Sequence, residues 1–154
     1  MSNRTSAQGV TRIPGKPIRI AALVYGIVFL LVGVLGFIPG PTTNYDQLQF
    51  AGHHSEAMLL GIFQVSILHN LLHLILGVAG VAMARTAGLA RVYLIVGGLA
   101  YLVLWVYGLL VESGDPTNIV PLNNADNWLH LVLWVSMLAL AIVLAPSRRS
   151  RAGR

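Results

Sequence analysis

The segment VYLIVGGLAYLVLWVYGLLV, residues 92–111, decides the fold class of this chain. It runs for 20 residues without Asp, Glu, Lys or Arg, and its apolar positions do not alternate as in a strand. A helix of this length rises about 30 Å, which matches the ~30 Å hydrocarbon core of a bilayer. Because a helix satisfies its own backbone hydrogen bonds, it is stable in lipid. The segment therefore predicts a transmembrane helix.

Three further uncharged segments resemble it, at residues 20–38, 59–84 and 128–145. Apolar residues make up 56% of the 154-residue chain and charged residues only 10%, far below the ~25% charged content of soluble domains. The sequence therefore predicts an all-α fold, a four-helix transmembrane bundle. The membrane domain is expected at residues 17–146, with spans at about 20–38, 59–84, 92–111 and 128–145.

The charges separate between the two ends of the predicted spans. All ten basic residues precede span one, lie between spans two and three, or follow span four, and all five acidic residues lie in the other two loops. Basic loops remain cytoplasmic during insertion. We therefore expect both termini in the cytoplasm, with residues 1–16 and 147–154 forming basic cytoplasmic tails.

Several classes of function are excluded or disfavoured. The net charge is +5, but the basic residues lie at the chain ends and in one turn without stacking aromatics, so no nucleic-acid partner is expected. The absence of cysteine excludes disulfides, thiolate metal sites and cysteine nucleophiles. No nucleotide-binding or hydrolase motif is present. The sequence therefore favours a non-enzymatic protein.

The polar residues of the spans form a predicted layer. His69 and His130 each lie 16 residues from the inner end of their span, about 24 Å along a straight helix. Tyr107 reaches the same height on span three, and His73 lies one turn lower. Polar groups inside a membrane are functional candidates. The candidate binding residues are His69, Asn70, His73, Asp126, Asn127 and His130.

Helical spacing predicts which side of span two faces the other helices. Residues three and four apart share a face, and small residues allow helices to approach closely. One face of span two carries Ser66, His69, His73, Gly77, Gly80 and Ala84. On span one, the packing face is expected to carry the glycines at positions 26, 33 and 40. On span three, it is expected to carry Gly97, Tyr101, Leu104 and Gly108. The histidines are therefore expected to point into the bundle.

Three interpretations of the histidines remain open from the residues alone. The side chains could form structural hydrogen bonds between helices, with Asp126 capping span four. They could hold haem or a transition metal, with His69, His73 and His130 as ligands and Asp126 orienting them, although no cofactor is required. They could also line a proton relay or a path for a small solute.

Connections between the spans give weaker expectations. The short inner loop at residues 85–91 predicts that spans two and three are antiparallel neighbours. The outer loop at residues 39–58 has room for a short interfacial helix. No internal repeat is evident along the chain.

Two motifs resemble a known family. LGIFQVSILHNLLHL at residues 60–74 and VPLNNADNWLH at residues 120–130 are similar to small bacterial four-span membrane proteins of the domain-of-unknown-function family DUF4383, and so are ARVYL at 90–94 and YLVLWVYG at 101–108. The resemblance implies a bacterial cytoplasmic-membrane protein and no particular activity. Its motifs include the six candidate binding residues and Trp128.

These observations predict a multi-pass protein of the bacterial cytoplasmic membrane that serves as an accessory or binding subunit. Its partners would be the lipid bilayer and a second membrane protein or further copies of itself. The alternatives are a haem- or metal-binding redox protein using His69, His73 and His130, and a small channel or transporter subunit.

Overall fold

A computed structural model describes residues 15–52, 54–111, 115 and 118–145 of the chain. Nearly all of the two predicted basic tails lies outside these described residues. The described chain is mostly helical, as the all-α prediction requires. It contains four helices: α1 (Lys16–Leu35), α2 (Ile67–Met83), α3 (Ala87–Leu110) and α4 (Asn124–Val143).

Local capping residues determine where the helices begin. Pro17 stands in the first turn of α1, where its missing N–H is not needed. The side chains of Ser66, Thr86 and Asn123 each accept a hydrogen bond from the backbone N–H three residues later, at the start of α2, α3 and α4. These bonds satisfy backbone donors that have no partner within the helix.

The second uncharged segment is divided between two kinds of structure. Residues 59–84 were predicted as one span, but α2 begins only at Ile67. Before it, β2 (Met58–Leu59) and β3 (Phe63–Gln64) form an antiparallel hairpin, and β1 (Thr42–Thr43) pairs with β2. The hairpin turns at Leu60 and Gly61, both with positive φ, a conformation that glycine adopts without strain. Hydropathy missed this boundary because residues 59–66 carry no charge and are mostly apolar, like the helix that follows them.

The lengths of the helices differ accordingly. Within the described residues, α1, α3 and α4 are long and apolar enough to cross a membrane by length and composition. Helix α2 is equally apolar but has 17 residues, which rise only about 26 Å. The loop at residues 39–58, which has room for a short helix, contains a 3₁₀ helix at Tyr45–Gln47.

The helices pack as two hairpins. Helix α1 contacts α2 most extensively, and α3 contacts α4 in the same way. Gly26 of α1 lies so close to Gly77 and Gly80 of α2 that a Cβ atom at position 26 would meet the backbone of α2. The two hairpins meet mainly through α1 and α3, so the contacts of α2 with α3 and of α1 with α4 are looser.

The predicted packing face of α2 is confirmed. All six of its members, from Ser66 to Ala84, are buried. The prediction for span one holds for Gly26 and Gly33, which are buried, but not for Gly40, which is exposed in the outer loop with φ 103°. Gly36, at the end of α1, contacts α2 in its place. Helices α2 and α3 are joined by residues 84–86, yet they pack together less closely than the prediction of neighbouring spans implied.

Candidate functional site

Two histidines of α2 form a stack near the outer end of the helix. The rings of His69 and His73 are parallel, with 4.4 Å between their centroids and 3° between their planes. His73 Nδ1 donates a hydrogen bond of 3.0 Å to the backbone carbonyl of His69. Because a carbonyl only accepts, this bond requires the proton of His73 on Nδ1 and leaves Nε2 as the acceptor of the neutral ring.

Aromatic side chains from α1 and α3 enclose this stack. The Tyr101 hydroxyl lies 3.4 Å from His73 Nε2 and donates to it. Phe29 meets the His73 ring edge-on at 5.6 Å and lies 5.4 Å from Tyr101, between ring centroids. His130 of α4 lies 5.3 Å from Tyr101. These five residues, Phe29, His69, His73, Tyr101 and His130, form a central ring cluster to which all four helices contribute.

Two cavities flank the ring cluster, one at each seam between the hairpins. The α2–α3 cavity has a volume of about 430 Å³, and the α1–α4 cavity about 140 Å³. His69, His73 and His130 line both of them. The remaining lining of the α2–α3 cavity is apolar apart from Tyr101, and no Lys, Arg, Asp or Glu of the described chain contributes to it. The histidines therefore stand between two apolar spaces.

Two imidazole nitrogens of the cluster lack hydrogen-bond partners among the described residues. These are His69 Nδ1 and His130 Nδ1, on side chains that are 6% and 2% exposed. A buried polar atom without a partner destabilises the fold by about 1–3 kcal/mol. Both nitrogens, on side chains that line the two cavities, therefore have unused hydrogen-bonding capacity.

Asp126 has a structural role at the start of α4. Its carboxylate oxygen Oδ2 accepts hydrogen bonds of 3.0 Å from the backbone N–H groups of Asn123 and Gln64. The first bond completes a capping box with Asn123, and the second ties β3 to α4. The prediction that Asp126 caps the fourth helix is therefore corrected: the N-cap is Asn123, and Asp126 completes the capping box from the third position after it. Asp126 also lines the α1–α4 cavity.

The two asparagines lie apart from the ring cluster. Asn70 packs against Gly36 within the first hairpin, and Asn127 packs against Gly108 within the second. Neither belongs to the described lining of the two seam cavities. The six candidate residues therefore do not form one layer. The three histidines belong to the ring cluster, Asp126 completes the capping box of α4, and the two asparagines lie between paired helices.

The arrangement of the histidines bears on metal binding. Among residues 15–52, 54–111, 115 and 118–145, no group of three or more His, Asp or Glu side chains is arranged to hold a metal ion. The parallel stacking of His69 and His73 gives the physical reason, since an ion equidistant from both rings would lie outside both ring planes. His73 also uses Nδ1 on a carbonyl and Nε2 on Tyr101.

Sequence reasoning missed two members of the cluster. Depth alone singled out Tyr107, but its hydroxyl accepts a hydrogen bond of 2.9 Å from the backbone N–H of Ile119 in the outer loop. Tyr101 was assigned only to a packing face, and Phe29 was not singled out. The helical spacing of Tyr101 with Gly97 and Leu104 was the available signal for its inward orientation.

Comparison with known proteins identifies the family of the chain. The family model described as "Domain of unknown function (DUF4383)" matches residues 19–143. The chain therefore belongs to the DUF4383 family, as its motifs indicated. No match was found among curated proteins or among solved structures.

Proposed function

We propose that this member of the DUF4383 family is a non-enzymatic binding subunit of the bacterial cytoplasmic membrane, with four membrane crossings and both termini in the cytoplasm. Its ligand would be an uncharged, lipid-soluble molecule held at the ring cluster. The single observation that carries the binding proposal is that two apolar cavities share three buried histidines, two of which have an unused Nδ1.

The four crossings are supported by the outward faces of the helices and by the charges at their ends. Large apolar side chains are exposed on every helix, including Leu31 (56%), Ile75 (63%), Val103 (66%) and Ile142 (71%). Lipid is the solvent in which such surfaces are stable. All ten basic residues lie at one end of the helices in the sequence, which favours a cytoplasmic position for that end.

Single-cysteine labelling tests this orientation, since the natural chain contains no cysteine. Asp46→Cys lies in the outer loop, and Gly88→Cys lies at an exposed position with open space near the start of α3. We expect a membrane-impermeant maleimide to label position 46 in intact cells and position 88 only after permeabilisation. Labelling of position 88 in intact cells would overturn the proposed topology.

The chemistry of the cavities defines the class of ligand. Binding sites for small molecules are mostly apolar and contain a few polar groups that orient the ligand. Leu72, Leu76 and Leu104 suit an apolar chain or ring in the α2–α3 cavity. The unused nitrogens of His69 and His130 suit a carbonyl or hydroxyl head group. A charged head group is disfavoured in the α2–α3 cavity, because its described lining supplies no opposite charge.

Thermal unfolding in lipid nanodiscs tests the binding. The two probes are decyl-benzoquinone, which carries two carbonyl groups, and decylbenzene, which has the same chain without them. Both partition into the lipid, so non-specific effects are shared. We expect decyl-benzoquinone to raise the midpoint of thermal unfolding and decylbenzene to leave it unchanged. Equal shifts with both probes, or no shift with either, would contradict the proposal.

Variants of His130 make the test specific to the site. His130→Asn keeps a polar group at the position of Nδ1, whereas His130→Leu removes it. We expect the first to retain part of the probe-induced shift and the second to lose it. His54→Ala, which removes an exposed imidazole of the outer loop, should retain the whole shift. An absorption spectrum of the same preparation reports haem directly, and a Soret band would replace this proposal by the haem alternative.

A further inference from the structure

A short sequence is repeated at the starts of α2 and α4. Residues 69–76 read HNLLHLIL and residues 126–133 read DNWLHLVL, with identical residues at five of the eight positions. The repeat aligns Asn70 with Asn127 and His73 with His130, each 57 residues apart. The N-caps Ser66 and Asn123 are also 57 residues apart, so α2 and α4 begin at equivalent positions.

The preceding helices correspond as well, with a separation of 72 residues. This offset aligns Gly26 with Gly98, Phe29 with Tyr101 and Gly36 with Gly108. Arg19 and Arg91 also become equivalent, at the basic ends of α1 and α3. The second hairpin thus repeats the first in the same order of helices and with the same polarity.

Equivalent residues make equivalent contacts in the two hairpins. The ring centroids of Phe29 and His73 are 5.6 Å apart, and those of Tyr101 and His130 are 5.3 Å apart. Gly36 contacts Asn70 as Gly108 contacts Asn127.

The close approaches within each hairpin follow the same correspondence. A Cβ atom at Gly26 would meet Gly80 and Val81 of α2, and one at Gly98 would meet Met137 and Leu138 of α4. These α4 residues are 57 positions after their α2 counterparts. The correspondence therefore extends along the helices and is not confined to the histidine motif.

Phe29 and Tyr101 lie where a two-fold axis relating the hairpins would pass. Their ring centroids are 5.4 Å apart, although they occupy the same position in different hairpins. Equivalent residues contact one another only close to a two-fold axis. Since both hairpins run in the same direction, the axis is parallel to the helices, as in parallel repeats of membrane transporters.

The two-fold axis that relates the hairpins also relates the two cavities. The α2–α3 cavity is lined by Leu72 and Leu76 of α2, and the α1–α4 cavity by their equivalents Leu129 and Leu133 of α4. On the other wall, Ala100 and Leu104 of α3 correspond to Val28 and Val32 of α1. Tyr101 and Phe29 occupy matching places in these walls.

We propose that the chain is an internal duplication of one helical hairpin, and that its two seam cavities are equivalent binding positions for the same class of ligand. This inference rests on the proposed binding function and adds a second site to it. His73 and His130 are counterparts in the repeat, with Phe29 and Tyr101 as their aromatic partners. The head group would be bound by His69 or His130, which line both cavities.

The two positions differ in how they are covered. Side chains of the outer sheet and its surroundings, Leu59, Phe63 and Val65, close one end of the α1–α4 cavity, whereas the α2–α3 cavity receives only Val120 from the described outer loops. This cover accounts for the smaller volume at the α1–α4 seam. We therefore expect the α2–α3 position to bind more tightly.

Native mass spectrometry of the full chain with decyl-benzoquinone measures the number of sites. The wild type should bind two probe molecules in two separate steps of a titration. Leu72→Trp and Leu129→Trp are a matched pair, at equivalent positions that are 41% and 36% exposed, so a larger side chain fills one cavity without entering the core. We expect each variant to bind one molecule and the double variant none.

The outcomes separate the two proposals. If the wild type binds one molecule and only Leu72→Trp abolishes binding, the binding function stands and the second site is overturned. If no chain binds the probe, the binding function itself fails, and the two-site inference with it. The milder pair Leu72→Phe and Leu129→Phe replaces any tryptophan variant that loses its thermal unfolding transition, and the same loss of one molecule is expected.

Discussion

The two helical hairpins of this protein are built on the same pattern but differ in their outer connections. Residues 36–66 join α1 to α2, whereas residues 111–123 join α3 to α4. The longer connection forms the three-stranded sheet, and its strand β3 binds Asp126 of the second hairpin. The two seams therefore differ most in the connections that lie beside them.

The exchange of His69 for Asp126 follows from this difference. Both residues occupy the third position after the N-cap of their helix. Asp126 faces the backbone N–H of Gln64 in the sheet, which a carboxylate satisfies. The ring of His69 stacks on that of His73 instead. The third position after the N-cap thus contacts the sheet in the second hairpin and belongs to the ring cluster in the first.

The largest loss of folding stability is expected when a glycine at the contact between two paired helices is replaced. Gly36→Val and Gly108→Val both drive a side chain into an asparagine, and overpacking of this kind destabilises by about 1–3 kcal/mol. Gly36→Val should have the larger effect, because Asn70 is fully buried whereas Asn127 borders an outer pocket. The free energy of unfolding in mixed micelles titrated with SDS measures both. Gly88→Ala, which has open space, is the control, and a loss there as large as at Gly36 would contradict the packing.

An effect of similar size is expected from Asp126→Ala. It leaves the backbone N–H groups of Gln64 and Asn123 without their acceptor, at a cost of about 1–3 kcal/mol. Ser66→Ala, at the N-cap of α2, removes one capping bond and should cost about 1 kcal/mol. Amide hydrogen exchange at Gln64 should accelerate only in Asp126→Ala. Equal acceleration in both variants would refute the link between the sheet and α4, and the exposed Asp46→Ala serves as the reference.

The smallest effect is expected from exchanging the two aromatic partners. Tyr101→Phe removes the hydroxyl bound to His73 and should cost about 0.5–1.5 kcal/mol. Phe29→Tyr adds a hydroxyl at the equivalent position, within the same cluster. Because the two rings are in contact, the double exchange should lose less free energy of unfolding than the sum of the two single losses. A double variant that loses at least the sum of both single losses would argue against equivalent halves.

Helical propensity and burial were predictable from the sequence, because they depend on local pattern. The stripe from Ser66 to Ala84 follows from helical spacing, and the capping role of Asp126 follows from its place before an apolar run. The start of α2 was not predictable from hydropathy, since Leu59 and Phe63 suit a strand as well as a helix. Depth alone also favoured Tyr107 over Tyr101, because height along a helix carries no information on rotation about its axis.

The proposed duplication differs from the expectation of no internal repeat, and the lengths of the connections explain why it is hard to see in the sequence. The first hairpin carries the longer outer connection, so equivalent residues are 72 positions apart in the first helices and 57 apart in the second. No single period therefore aligns the halves. The two similar motifs around His73 and His130 were the sequence signal of a repeat. The matching contacts of Phe29 and Tyr101 support this interpretation.

Nitrogen-15 NMR of histidine-labelled protein in nanodiscs tests the central claim most directly. On addition of decyl-benzoquinone, the Nδ1 resonances of His69 and His130 should shift, because these nitrogens have no partner within the described chain. The Nδ1 resonance of His73, held by the His69 carbonyl, should shift far less. Decylbenzene should move none of them. Unchanged resonances of His69 and His130 at saturating probe would contradict a binding site at the ring cluster.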